Sequence, residues 1–277
     1  MSFNIYEAVT DRILAQLEAG TIPWRKPWTG SAPINYITRK PYRGINAMLL
    51  DDGEYLTYKQ AKDCGGQVRK GEKSSMIVFY KMMESKDEKT QETKKFPYLQ
   101  YSNVFHISQC DGIESKIKSN DNIAEPREPI DIAEDIIADY VNREHVELNI
   151  VDGSNQAYYM PSNDSVTLPM LKQFNSTNEY YSVAFHELAH STGHPSRLNR
   201  IKNVAAFGSE NYSKEELCAE ITSAFIMNTA GIEIPETFEN SAAYIKSWSR
   251  KLKEDVKMIV SAAGQASKAS DLILGLA

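Results

Sequence analysis

His186-Glu187-Leu188-Ala189-His190 lies two-thirds of the way along a chain of 277 residues, and each residue type in it has a chemical use. Residues four apart share a helix face, so His186 and His190 can offer two imidazole nitrogens to one cation while Glu187 stands beside them. A cation held this way polarises a bound water, the neighbouring glutamate takes the proton, and the resulting hydroxide attacks a carbonyl. Zn2+ is the expected ion, and the same donors would accept another divalent metal. The chain has only five histidines, so two at this spacing are informative.

HExxH is the zincin motif, and a catalytic zinc needs a third protein ligand and an open position. Three candidates present themselves. In the metzincin pattern HExxHxxGxxH, Gly193 fits, but Ser196 holds the place of the third histidine. His194, between Gly193 and Pro195, comes two residues too early for that geometry. The third candidate is the run Lys214-Glu215-Glu216-Leu217-Cys218-Ala219-Glu220-Ile221, with an acidic pair at i, i+4. In the gluzincin solution a glutamate on a downstream helix is the third ligand, and an acid one turn further on hydrogen-bonds the first histidine. This maps Glu216 to ligand and Glu220 to the supporting position. Leu217, Ile221, Ala224 and Phe225 mark the helix as buried, and two carboxylates on a buried helix require a cation. Spacing alone leaves open which of the two is the ligand.

These residues need elements to position them. Tyr180 to Phe185 supplies apolar residues at helical spacing ahead of the motif, and Gly193 stands where the helix can stop. Helical periodicity also runs from Ile132 to Val141, followed by short β-like runs at Val146 to Val151, Ala157 to Met160 and Ser165 to Pro169. A strand of that kind ahead of the metal helix suits zincins, whose edge strand borders the cleft and can bind an extended peptide by β-augmentation. From Glu239 to Leu276 the pattern is largely helical, with Tyr244, Ile245, Trp248, Leu252, Val256 and Ile259 spaced for core packing.

The first part of the chain differs in character. Net charge is −6 overall, but residues 1–125 carry 18 Lys+Arg against 16 Asp+Glu, whereas residues 126–277 carry 13 against 21. Within 22–81 the count is 11 against 5. The two parts therefore suit different partners. After an amphipathic helix with Val9, Ile13, Leu14 and Leu17 on one stripe, ended by Gly20, the segments around Trp24-Arg25-Lys26-Pro27-Trp28 and Arg39-Lys40-Pro41-Tyr42-Arg43 interleave aromatic and basic residues. Bases stack on aromatic faces while cations follow phosphates, as a groove for single-stranded DNA without sequence preference requires. Tryptophans that anchor a loop against a helix are the structural alternative. A short helix at Tyr58 to Asp63, a basic turn holding Lys70 and Lys73, and strands at Met76 to Tyr80 and Tyr98 to Ile107 complete an α+β domain ending near residue 112. Residues 84–95 read as a hairpin tip or loop, and 113–130 as a linker.

No run of 18 apolar residues and no charged-then-apolar leader occur, so a membrane span and a secretory signal are not expected, and the chain reads as soluble and cytoplasmic. Cys64, Cys110 and Cys218 form no CxxC pair and read as ordinary buried thiols.

Further runs complete the pattern: Gly20-x-x-Pro23-Trp24-x-x-Pro27-Trp28, Tyr42-x-Gly44-Ile45-Asn46, Lys70-Gly71-Glu72-Lys73, Tyr158-Tyr159 with Asp164, His186 to Leu198, and Glu215-Glu216-Leu217-x-Ala219-Glu220. On these the chain resembles the ArdC-type antirestriction proteins of conjugative plasmids, related to the N-terminal part of TraC-type plasmid primases. The resemblance implies a single-stranded-DNA-binding domain over 1–112 and a zincin-like, gluzincin-type metallopeptidase domain over 131–277. It also implies a role in protecting entering plasmid DNA from host restriction, and from the carbonyl chemistry of the motif a protein or peptide is the expected substrate of the metal site. The alternatives are a DNA-binding protection protein whose metal only stabilises the fold, and a hydrolase that turns the cation on phosphates.

Overall fold

The computed structural model of the chain describes residues 3–25, 32–86, 93–117, 129–201, 210–233 and 242–277. It divides into two compact units, one made of Met1–Ile13 and Trp28–Asn120, the other of Leu14–Pro27 and Asp121–Ala277. Among the described residues no helix is long and apolar enough to cross a membrane.

Helix α1 (Ile5–Glu18) buries Val9, Ile13, Leu14 and Leu17, the stripe its periodicity predicts, and stops at Gly20, whose positive φ of 82° costs glycine little. In the first unit β1 (Ile34–Asn35) pairs parallel with β2 (Glu54–Leu56). Helix α2 (Ile45–Leu49) lies between them in sequence, and α3 (Tyr58–Asp63) follows behind a capping box of Thr57 and Gln60. A short ribbon joins β3 (Gln67–Val68) to β6 (Cys110–Asp111), while β4 (Ser75–Lys86) and β5 (Thr93–His106) form a long antiparallel hairpin, giving the sheet order β1-β2-β5-β4. The strands run further into the polar stretch 84–95 than composition suggests, with Lys86 opposite Thr93. Once a register is set by Val78 and Leu99, backbone pairing continues it without apolar side chains. Asn46 explains one motif position: its side chain donates to the Val78 carbonyl at 2.7 Å and accepts from the Val78 amide at 2.8 Å, taking the place of a strand beside β4.

In the second unit α4 (Pro129–Glu144) precedes β7 (Glu147–Val151), β8 (Tyr158–Met160) and β9 (Ser165–Pro169). Sheet order is β7-β9-β8, with β7 parallel and β8 antiparallel to β9. The strand nearest the motif in sequence is thus the central, fully buried one, and Glu147–Val151 and Tyr158–Met160 form the two edges. Helices α5 (Thr177–Ser191), α6 (Glu210–Ala230) and α8 (Met258–Ile273) pack with α4 around Tyr140, Val166, Leu168, Tyr181, Phe185 and Ile226, while α7 (Ala242–Glu254) buries Trp248 and Leu252.

Trp24 belongs to this second unit and is 2% exposed, its ring edge-on to Trp248 at 6.2 Å between centroids. This corrects its expected role as a stacking platform for DNA, because both faces of its indole are enclosed by protein. Trp24→Ala is expected to destabilise the second unit by about 3–5 kcal/mol, the cost of emptying a large aromatic site in a core. Denaturant unfolding measures this, and an unchanged midpoint would contradict the burial.

Candidate metal centre

Helix α5 starts at Ser176, whose hydroxyl accepts from the Glu179 amide at 3.1 Å. Its inner face buries Tyr181, Phe185, Leu188 and Ala189, which turns His186 and His190 toward α6. Their Nε2 atoms stand 3.1 Å apart, and Glu216 on α6 brings Oε2 to 3.5 Å from that of His186 and Oε1 to 3.5 Å from that of His190. The three donors all lie within 4.8 Å of one another, the one such group of His, Cys, Asp or Glu among the described residues. Donors about 2.1 Å from a tetrahedral ion stand about 3.4 Å from each other, so this spacing would suit a metal ion. Two imidazole nitrogens and one carboxylate leave one tetrahedral corner open.

Electrostatics agree with geometry. Burial alone would lower the pKa of His186; its hydrogen bond to Glu216 and the charges of Glu187, Glu220 and Glu216 outweigh this and push it up to about 9. Burial would raise the pKa of Glu216, but His186, His190 and Tyr212 more than compensate and hold it below the ordinary carboxylate range. The pocket therefore prefers a cation at its centre. Tyr212 hydrogen-bonds Glu216, and burial together with that carboxylate's charge raises the phenol to about 12, so it remains protonated.

Behind the donors the arrangement departs from the sequence expectation. The carboxylate that supports a histidine is Glu215, which accepts from His190 Nδ1 at 3.4 Å and leaves Nε2 to face the centre. Arg200 clamps Glu215 at 2.8 and 3.1 Å and also donates to the Ala189 carbonyl and Thr192 hydroxyl, tying this carboxylate to the end of α5. Burial would raise the pKa of Glu215, but His190 and Arg200 lower it further, so it is charged. Glu220, expected behind His186, accepts from Tyr244 Oη and adds its charge to His186. Glu215→Gln is expected to weaken metal binding by about 10- to 100-fold, as losses of outer partners do. A competition titration with a chelating dye reads this directly, and unchanged affinity would reduce Glu215 to a structural partner of Arg200.

The loop after α5 is held by a second arginine. Arg197 donates to the Ser191 carbonyl at 2.8 Å and pairs through both terminal nitrogens with Asp164, which also accepts from Tyr159 Oη at 2.9 Å. Edge strand β8 is thereby fixed at the rim of the centre. Gly193 sits where the chain doubles back: an added Cβ would lie 2.8 Å from Ile201. His194, a candidate third ligand, instead closes a turn through Ser196, with Nδ1 2.7 Å from its hydroxyl, and Ser196 is used in that same turn. Neither belongs to the donor group.

A cleft of about 890 Å³ opens over the donors, bordered by Tyr158 and Tyr159 of the edge strand, Glu187, Arg200 and Tyr212. A smaller recess of about 400 Å³, walled by Phe174, Val183 and Ala224, meets the same His186, Glu187 and Glu216.

Residues 138–265 match the family described as zincin-like metallopeptidase, and residues 3–105 match the N-terminal domain of anti-restriction factor ArdC. The crystal structure of the antirestriction ArdC protein from plasmid R388, metal-free, aligns over 98% of this chain and 97% of its own with a TM-score of 0.77 and 36% identity. The chain belongs to the ArdC antirestriction family. An Mn(II)-bound structure of the R388 ArdC protein aligns equally well, with a TM-score of 0.76 over 99% of this chain and 98% of that one. DNA primase TraC of Escherichia coli is 37% identical over 97% of this chain, which spans 27% of the primase. The uncharacterized protein y4eC of Sinorhizobium fredii is 33% identical over 97% of this chain and 91% of its own length. The fold is accordingly the α+β arrangement of an ArdC N-terminal domain followed by a zincin-like domain.

Of the side chains that sequence reasoning assigned to DNA, Lys40, Arg43, Lys70 and Lys73 are exposed in the first unit of this ArdC-family chain. Arg39 pairs with the fully buried Glu54, and Tyr42 is half-buried edge-on to Tyr55 at 6.2 Å. Lys26, Trp28 and the side chain of Arg25 lie outside the described residues.

Proposed function

We propose that this chain is a cytoplasmic antirestriction protein that binds single-stranded DNA without sequence preference through its first unit. Its second unit carries a Zn2+-dependent peptidase centre. The observation that carries the enzymatic half is the convergence of His186, His190 and Glu216 within 4.8 Å, with Glu187 next to His186 on the same helix.

His186, His190 and Glu216 would hold the ion, and the four-residue spacing, the burial and the charge of the donors fit it. When bound, a divalent metal supplies Lewis acidity to a water and to the carbonyl under attack. Glu187 lines the cleft beside the donors, where it is placed to accept the proton of the attacking water and return it to the departing amine. Tyr212, protonated, donates its O–H to Glu216 and steadies the third donor in place. Glu215 and Arg200 keep His190 in the tautomer that presents Nε2. Backbone groups on the outer side of Tyr158–Met160 are available to align an extended peptide beside these groups.

For the first unit, exposed Lys40, Arg43, Lys70 and Lys73 support phosphate contacts. Four such contacts on a single strand predict binding about 50-fold weaker at about 200 mM salt than at about 50 mM. Fluorescence anisotropy with homopolymeric and mixed single-stranded oligonucleotides tests this. A flat salt response, or a preference for duplex, would count against the DNA reading. Zinc-loaded protein mixed with a random peptide library, with products read by mass spectrometry, tests the peptidase reading.

A further inference from the structure

A second recess of about 600 Å³ lies beside the metal cleft, between the last turns of α7 and the start of α8. Lys214 and Ser261 line both spaces, so the two are adjacent. Four cations, Lys214, Arg250, Lys251 and Lys257, face two acids, Glu254 and Asp255. Lys214 is matched by Asp255 at 3.0 Å, and Lys251 rests 4.8 Å over the Trp248 ring. Residues 126–277 carry 13 basic against 21 acidic side chains, so a net positive recess stands out against its surroundings. The stripe continues along the solvent face of α7, where Lys246, Arg250 and Lys253 follow at helical spacing and are all exposed.

We propose that this recess is a specificity site that takes the acidic side chains of a peptide lying in the metal cleft. The inference deepens the peptidase reading and rests on it. A peptide aligned along β8 and crossing the donors runs out of the cleft past Lys214 and Ser261, so aspartate or glutamate several residues from the scissile bond enters the recess. There, anions meet a recess in which four cations outnumber two acids, beside the Lys214–Asp255 pair. Charge at this distance from the reacting atoms acts on binding and on the choice of substrate, not on the chemical step.

The test uses the full-length, metal-loaded Glu187→Gln protein, so that ligands bind without being consumed. Fluorescent extended peptides identical except for a block of three Asp, three Asn or three Lys are measured by anisotropy at low and high salt. The Asp peptide is expected to bind about tenfold more tightly than the Asn peptide, a difference that high salt removes by screening. In the Arg250→Glu/Lys257→Glu variant the preference is expected to reverse toward the Lys peptide. Equal affinity for the Asp and Asn peptides would overturn the recess assignment and leave the peptidase reading standing. Failure of every peptide to bind metal-loaded protein would sink both. If the double variant loses affinity for an oligonucleotide while the Asp peptide is unaffected, the recess serves nucleic acid and the proposal fails. Metal content of the double variant, expected to match the parent because neither residue touches the donors, separates these outcomes from misfolding.

Discussion

Glu187→Gln is expected to keep its metal and lose peptide hydrolysis by about 10²- to 10⁴-fold, the range that a positioned general base contributes. The amide keeps the shape of the carboxylate and removes its basicity, so the water in the cleft has no group to receive its proton. Helix α5 has no reason to shift, because its inner face, with Phe185 and Leu188 fully buried, is untouched. Turnover of a peptide cleaved by the parent and metal content measured on the same preparation give the answer together. Loss of metal in step with activity would make Glu187 a structural residue. Full protection of incoming DNA by the variant would favour a protein whose metal only stabilises the fold and whose protection comes from DNA binding.

Glu216→Ala should abolish stoichiometric metal binding, with affinity falling on the order of 10³-fold, beyond the roughly 10- to 100-fold typical of outer partners. Two imidazoles on one helix face cannot close a tetrahedral site alone, and the third donor comes from another helix. Metal at about a thousand times its dissociation constant stabilises the folded protein by about 4 kcal/mol. The parent should therefore melt about 10 °C higher with metal than without, and the variant should show no such rise. Calorimetry with and without chelator measures it, and an undiminished rise in Glu216→Ala would transfer the ligand role to a different carboxylate. Acidity enters with a definite sign. In the metal-free protein His186 has a pKa of about 9 against an ordinary 6.5, so at neutral pH an incoming metal displaces a proton. Affinity then climbs with pH by up to about tenfold per unit and levels off above about 9. Stability of the metal-free protein runs oppositely: protonated His186 adds stability in full below 6.5, and this is lost as pH rises through about 9.

Much of this centre can be read from periodicity. The α5 pattern follows from buried Tyr181, Phe185 and Leu188, and the i, i+4 histidines then share the opposite face by helix geometry alone. Buried Leu217, Ile221, Ala224 and Phe225 likewise place Glu216 on one side of α6. The support behind His190 was not legible. Glu215 is adjacent to Glu216, and the i, i+4 pairing of Glu216 with Glu220 draws attention to the wrong neighbour. What distinguishes Glu215 is Arg200, which arrives from the loop after α5 and shares no helical spacing with it.

Trp24 is the converse case. Its setting among prolines and cations has the composition of a nucleic-acid groove, yet whether an aromatic ring stacks on bases or on Trp248 depends on what covers it, which composition does not encode. The choice of edge strand has the same origin: Tyr158–Met160 and Ser165–Pro169 both have strand-forming residues, and only the pairing of β9 with β7 moves the latter to the centre.

The sequence by itself determined the residue types that can bind a cation, their common helix face and the two-part division of charge, because these depend on spacing within single elements. The tertiary structure alone decided which carboxylate stands with His186 and His190, which one accepts from His190, which strand borders the cleft and which tryptophan is closed to solvent. Each of these depends on contacts between elements distant in sequence, where local periodicity carries no information.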